Sequence, residues 1–363
     1  MVNLLSPRLA ATLAGLVLAA CAPDPVGGQA AAQPRPTTGL DPVLMDQTLA
    51  RARDLPNLHS LIVARDGEIL AEHRLGGPPL DRPVNIKSAS KSVLAALAGV
   101  AIGEGVLSGV DQKIAPVLRA DLPAGGDPRL EAIEVGHLLS MQAGLGRTSG
   151  QYYGAWVTSP NWVRHALARP FDDAPGGRMI YSTGTSHLMS AVLTRAAGRS
   201  THELAQAWLA EPLGVTLPPW PRDPQGIYFG GNDMLMSPRD LVRFGELYRL
   251  DGVMEGRRIL PEGWVAESWR PRTRSPWSGH DYGYGWFRKT SAGQETYFAW
   301  GYGGQMLFVV PSLNLTVVMT SDASPRPREE SHVADLHRLL DEGLVPAALR
   351  GDGSAQDLSP SEG

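Results

Sequence analysis

Ser88, Ala89, Ser90 and Lys91 put a hydroxyl and an amine three positions apart. On a helix that spacing brings both side chains to one face. A serine hydroxyl is a poor nucleophile until a base stands beside it. A lysine driven by burial towards its neutral form can be that base. The first turn of a helix adds backbone N–H groups and a dipole that stabilise developing negative charge. The chain has only four lysines, and Lys91 leads into a stretch that is otherwise apolar from Val93 to Ile102, which sets it apart from an ordinary surface lysine.

Two further segments carry suitable groups. Tyr181-Ser182-Thr183 follows a Pro/Gly-rich loop, Ala174-Pro175-Gly176-Gly177-Arg178. A tyrosine held there and brought to the Ser/Lys pair can pass a proton to a leaving group. Ala299-Trp300-Gly301-Tyr302-Gly303-Gly304-Gln305 closes a predicted strand, and its glycines allow close backbone approach to a substrate. A strand-end N–H in this run would complete an oxyanion hole with the N–H of Ser88. Tyr152, Tyr153, Trp156, Tyr228, Trp286 and Trp300 are candidates for an aromatic pocket, with packing in the core or at the rim as the equal alternative.

In order and separation, the three segments resemble the motifs of the serine β-lactamase and penicillin-binding-protein-like family, whose first motif is Ser-x-x-Lys. The run Val135-Gly136-His137-Leu138-Leu139-Ser140-Met141-Gln142-Ala143-Gly144-Leu145 is similar to the class C β-lactamase-like branch. So are the segments from Gly230 through Ser237-Pro238-Arg239-Asp240-Leu241 to Phe244-Gly245, and Tyr282-Gly283-Tyr284-Gly285-Trp286. The resemblance covers about Asp41 to Leu344. Gly301 to Gln305, followed by Val309-Val310-Pro311, is most similar to the nylon-oligomer (6-aminohexanoate-dimer) hydrolase and esterase members. It implies an acyl-enzyme on Ser88, with Lys91 as the base for acylation, Tyr181 as proton relay, and no metal or cofactor. The oxyanion donor depends on register: the Tyr302 N–H is favoured, with Gly303 and Gly304 open.

The sequence departs from that pattern twice. The second motif ends in Thr183 where the family has Asn, and Thr lacks the two-ended recognition of an amide. The third motif usually carries a Lys or His, and here the place falls on Ala299, Trp300 or Gly301. A β-lactam or a D-Ala-D-Ala terminus presents a carboxylate that such a cation would hold. The expected substrate is therefore a small ester or amide without a required carboxylate. A peptidoglycan D-Ala-D-Ala carboxypeptidase or weak β-lactamase is the alternative enzyme, and an inert envelope-binding protein of the same fold is the alternative outside enzymes.

The rest of the sequence narrows the setting. No Gly-x-Ser-x-Gly elbow and no His-Glu-x-x-His occur. A formal net charge of -4 over 363 residues, with no basic stripe, argues against a nucleic-acid partner. Residues 1–20 read as a signal peptide: Arg8 precedes an apolar run from Leu9 to Ala20 that is too short to span a bilayer. Leu18-Ala19-Ala20-Cys21 resembles the bacterial lipobox. Cys21 is the single cysteine, so it has no disulfide partner, and the Pro/Ala/Gly/Gln stretch to Thr38 reads as a tether over residues 21–40. The expectation is lipidation on Cys21, a membrane partner through that lipid, and a place in the bacterial cell envelope, at the outer membrane facing the periplasm. Nothing in the sequence sets an oligomeric state.

The elements that must position these groups follow from periodicity. Asp41 caps a helix through Ala52, and Leu58–Ala64, Asp66-Gly67 and Ile69–His73 read as a hairpin. Ser88–Glu104 is a helix, and Val135–Met141, Asn161–Ala168, Ser186–Ala197, Thr201–Leu209 and Pro238–Leu250 are further helical pieces. Tyr284–Thr290, Glu295–Trp300, Met306–Val310 and Thr316–Thr320 read as strands, Ser331–Gly343 as a closing helix, and 350–363 as a disordered tail. The predicted fold is α+β, of the β-lactamase/transpeptidase-like kind. It consists of one domain over 41–349, with an antiparallel sheet built from about 41–87 and 282–349. A mainly helical lobe, 88–281, is inserted into it.

Overall fold

The computed structural model describes residues 39–324 and 329–351. The signal peptide, the Cys21 lipid site and nearly all of the tether lie outside the described residues, as does the tail from residue 352. Helix α1 (Pro42–Arg53) starts where Asp41 accepts the Leu44 N–H at 2.9 Å. β1 (Leu58–Arg65) and β2 (Glu68–Arg74) make the hairpin, with Asp66 and Gly67 at φ 53° and 86° as a tight two-residue turn demands.

Six more strands complete an antiparallel sheet: β3 (Thr273–Arg274), β4 (Asp281–Tyr282), β5 (Phe287–Ser291), β6 (Gln294–Gly301), β7 (Gln305–Val310) and β8 (Leu315–Ser321). Their spatial order is β2-β1-β8-β7-β6-β5-β4-β3. The predicted union of chain ends is the β1–β8 ladder, with Leu61 opposite Met319 and Val63 opposite Val317. Ser60 and Thr320 lock it with a hydroxyl–hydroxyl bond of 2.6 Å.

Both faces of this sheet are covered at its centre, which explains strands such as β7 and β8 that are buried without a break. Leu61, Val63, Phe308, Val310, Val317 and Met319 face a core shared with α1 and the C-terminal helix α5 (Glu329–Leu339). The alternate residues Ile62, Ala64, Leu307, Val309 and Val318 face the larger core around α2 (Ser90–Gly103). Helix α2 is buried from Ser90 to Ala101 and is apolar nearly all round, as a helix at the centre of a domain must be. α3 (Thr183–Ala197) packs against it, and α4 (Pro238–Arg249), capped by Ser237, packs on β1, β7 and β8.

The structure departs from the sequence expectations in four places. α4 and the strands from Thr273 belong with the sheet, so the helical lobe does not extend to residue 281 as predicted. The strand expected from Tyr284 starts at Phe287, because Gly283–Trp286 folds back onto α2. Gly285 takes φ 75°, an added Cβ would lie 2.6 Å from the Lys91 carbonyl, and its own carbonyl accepts from Ser92 Oγ at 2.6 Å. Ser88 stands in a 3-10 turn, Lys87–Ala89, ahead of the α-helix. The closing helix runs on through a wide turn to Gly351, so Arg350 is helical.

Candidate active site

Lys91 Nζ lies 3.0 Å from Ser88 Oγ and donates to the Gly231 carbonyl at 2.7 Å. Burial pulls the Lys91 amine down to about 7, against the pull of the Asp233 carboxylate. Near neutrality a large share of Lys91 is therefore unprotonated and able to accept the serine proton. Burial pushes the Tyr181 hydroxyl up to about 12, against its hydrogen bond with Ser88. Tyr181 thus holds its proton at neutral pH, and the Lys91 amine lies 4.8 Å from its ring centre. A base and an acid with values pushed apart meet at one nucleophile, which is the arrangement proton transfer in both directions needs.

Each group is held by local geometry. Lys87 adopts φ 50° and its N–H donates to Asn85 Oδ1 at 2.8 Å, which turns the chain into the Ser88 position. Asn85 also donates to Asp233 Oδ1 at 2.7 Å, and Lys87 pairs with the same oxygen at 3.2 Å. Gly231, at φ 71°, must be glycine: an added Cβ would lie 2.5 Å from Ser186 Cβ and 2.7 Å from Lys91 Cγ. Its neighbour Gly230 donates its N–H to His187 Nδ1 at 3.2 Å, so the ring proton sits on Nε2, 2.9 Å from Asp223. This wholly buried His187–Asp223 pair braces the loop whose carbonyl orients Lys91.

Tyr181 precedes α3, and its approach is fixed by the Ile180 N–H on the Met141 carbonyl (2.8 Å) and by Ser182 Oγ accepting from the Thr148 N–H (3.0 Å). Thr183 is turned to Ser149, with its N–H on Ser149 Oγ at 2.8 Å and the two hydroxyls 3.1 Å apart. The third motif ends β6: an added Cβ on Gly301 would lie 2.2 Å from the Ile86 carbonyl, so the strand end abuts the turn carrying Ser88. Gly304 packs on Leu336 and Ser321.

Ser88 opens into a cavity of about 600 Å³ whose lining includes Tyr181, Trp300, Tyr302 and Gly303. Thr183, Gly301 and Gly304 are not in its lining. Of the other pocket candidates, Trp156 is fully buried, donates to the Trp162 carbonyl at 3.0 Å and packs on Phe229. Tyr228 is buried between His202 and Trp220, its hydroxyl taken by Arg222. Trp286 is buried against Tyr248. These three belong to the core, not the pocket. Tyr152 lies exposed under the Arg169 guanidinium, and Tyr153 bonds Asn232.

Sequence reasoning missed Trp277, Ser278, His280, Phe287, Val333, Ala334 and His337, which supply the rest of the wall. Burial keeps His280 below the usual histidine range and drives His337 down to about 3, so both are neutral at pH 7. Among the described residues, no lysine or arginine lines this cavity. Beyond His280 and His337 a second, polar cavity of about 630 Å³ holds Arg274, Arg288 and Lys289. There Arg288 is engaged by Glu295 and Lys289 by Asp341.

Comparison with known proteins gives the family and the fold. No curated protein matches the chain. Among solved structures it is similar to a Bacillus anthracis protein provisionally described as a 6-aminohexanoate-dimer hydrolase, at TM-score 0.69 and 17% identity over 85% of this chain and 83% of that one. It is also similar to EstCE1, a hydrolase with promiscuous acyltransferase activity (TM-score 0.65, 17% identity, 82% and 96% covered). A D-stereospecific amidohydrolase from Streptomyces sp. aligns at TM-score 0.63 and 19% identity, over 82% of this chain and 98% of that chain. At these identities the likeness is one of fold. The family model described as Beta-lactamase matches residues 46–342, and on that match, which runs through all three motifs, the chain belongs to the beta-lactamase family.

Proposed function

We propose that the protein is a serine esterase or amidase that forms an acyl-enzyme on Ser88 and acts on an uncharged ester or small amide. The observation that carries the substrate class is the wall of the catalytic cavity, which is largely aromatic and, among the described residues, holds no lysine, arginine or protonated histidine at neutral pH. A carboxylate entering it would lose hydration without gaining an ion pair.

Neutral Lys91 takes the Ser88 proton as Oγ attacks the acyl carbon. The oxyanion is held by the Ser88 N–H and a third-motif N–H, for which Tyr302 is favoured. The bond from carbon to the leaving oxygen or nitrogen breaks, Tyr181 gives that atom its proton, and Lys91 replenishes Tyr181. Water then attacks the acyl carbon and returns Ser88 by the same relay in reverse. Lipidation on Cys21 and an envelope location belong to this reading, supported by the lipobox-like sequence, and radiolabelled palmitate incorporation lost in Cys21→Ser tests them.

The test of function is a substrate panel: a nitrophenyl short-chain ester, a chromogenic cephalosporin and a D-Ala-D-Ala peptide, each with the protein and with Ser88→Ala. Ester turnover that falls by ~10⁴-fold or more in Ser88→Ala is expected. Turnover surviving that change overturns the mechanism, and cephalosporin or peptide turnover above ester turnover overturns the substrate class.

A further inference from the structure

We propose that His332 is a positioning residue for the oxyanion hole: from α5, through Ser321, it fixes where the Gly301–Gln305 turn holds its N–H groups relative to Ser88. This rests on the acyl-enzyme reading, in which a third-motif N–H is the second oxyanion donor, and adds what sets that donor's place. A preorganised donor stabilises an oxyanion only while it is held within about 0.5 Å of the productive geometry.

The turn has little of its own to hold it. Gly303 and Gly304 stand at φ 80° and 94°, and the bond across it, from the Gly304 N–H to the Gly301 carbonyl, is at the long end at 3.2 Å. Support comes from the end of β8 and from α5. The Gln305 side chain grips Ser321 at both ends: its amide donates to the Ser321 carbonyl at 2.7 Å, and its oxygen accepts the Ser321 N–H at 3.2 Å. The Ser321 hydroxyl in turn meets His332 Nε2 at 2.9 Å, and both side chains are buried. Gly304 lies directly on that pair, since an added Cβ would stand 3.0 Å from Ser321 Oγ and 3.1 Å from His332 Nε2. On the other side Gly301 abuts the Ile86 carbonyl, two residues before Ser88. The turn is therefore pinched between the segment that carries the nucleophile and the Ser321–His332 pair. Burial holds His332 below the usual histidine range, so its ring is neutral at pH 7 and a neutral amide can take its place.

Sulfur in place of the carbonyl oxygen reports on the hole, because sulfur is a weak hydrogen-bond acceptor and gains less from aligned donors. The full chain is assayed on nitrophenyl acetate and on its thiono analogue, with kcat/KM reading acylation. In His332→Leu and in Ser321→Ala the kcat/KM for the oxo ester should fall by about tenfold or more and the oxo-to-thiono ratio by about fivefold or more, while His332→Gln stays within about threefold of the native protein on both. Urea unfolding confirms that each variant is folded under the assay conditions, and Ser321→Ala decides if His332→Leu is not. A ratio that the Leu and Ala variants leave intact, even with turnover lowered, means a general structural role and overturns the assignment, as does a His332→Gln no better than His332→Leu. Ser88→Ala runs alongside: turnover that survives it refutes the acyl-enzyme reading, whereas an unmoved ratio in an enzyme silenced by Ser88→Ala refutes only the role of His332.

Discussion

Replacing Lys91 by methionine, a side chain of similar length without charge, should remove activity and raise stability, and the pH dependence of the gain measures how the fold treats the amine. In the fold the amine is pulled to about 7, against 10.5 when unhindered. The unfolded chain therefore binds more protons between these values, and stability rises with pH through that window. The handicap is full below pH 7, shrinks as pH climbs and is gone above 10.5. Linkage puts it at about 4 kcal/mol at pH 7 and about 2 kcal/mol at pH 9. The variant also strands the Gly231 carbonyl, a loss that does not change with pH. The diagnostic quantity is thus the difference between the proteins at two pH values, not either gap alone. Urea unfolding followed by tryptophan fluorescence should show the advantage of Lys91→Met narrowing by ~2 kcal/mol from pH 7 to pH 9. A gap that stays constant or widens would refute the depressed amine, and with it Lys91 as a neutral base at physiological pH.

Other expectations follow from the same geometry. The kcat/KM for a neutral ester should rise with pH to a plateau with a midpoint near 7, where Lys91 loses its proton, and a profile flat from pH 5 to 9 would contradict it. Asp233→Asn removes the carboxylate that favours charged Lys91, so that midpoint should move down, read in the same profile. Tyr181→Phe should lower kcat by ~10²- to 10⁴-fold with KM little changed, and an unchanged kcat would remove Tyr181 from the relay. His187→Ala removes the ring N–H that Asp223 Oδ2 accepts, while the Gln225 and Ile227 N–H groups still hold Oδ1, and should lose about 1.5 to 3 kcal/mol in urea unfolding.

The sequence made the nucleophile and its base legible because both lie within one turn, where spacing translates directly into contact. The strands were legible for a similar reason: uninterrupted apolar runs such as Met306–Val310 are what a sheet buried on both faces requires. The pocket was not. Trp277, Phe287 and Ala334 come from a loop, a strand and the last helix, and no local pattern tells an aromatic side chain which surface it will meet. Trp156 and Tyr228 show the converse. Their polar tips find partners in the Trp162 carbonyl and Arg222, which lets them sink into the core. Thr183 was read as a substrate contact by its place in a motif, and its distance from the lining follows from Ser149, 34 residues away in sequence.

The hydroxyl bond between Ser60 and Thr320 closes a span of 260 residues, and it lies inside the sheet, between its second and third strands. Loop closure of that size is slow, because its entropy is lost before the contacts it enables are made. β1 must therefore wait, unpaired on one side, until nearly the whole chain has been synthesised. During that wait Leu61, Ile62 and Val63 form a bare apolar edge that any other extended strand can join. The vulnerable moment of this protein is its birth: a chain cut short before β8 would be expected to aggregate through its first strand, long before the absence of a catalytic residue could matter.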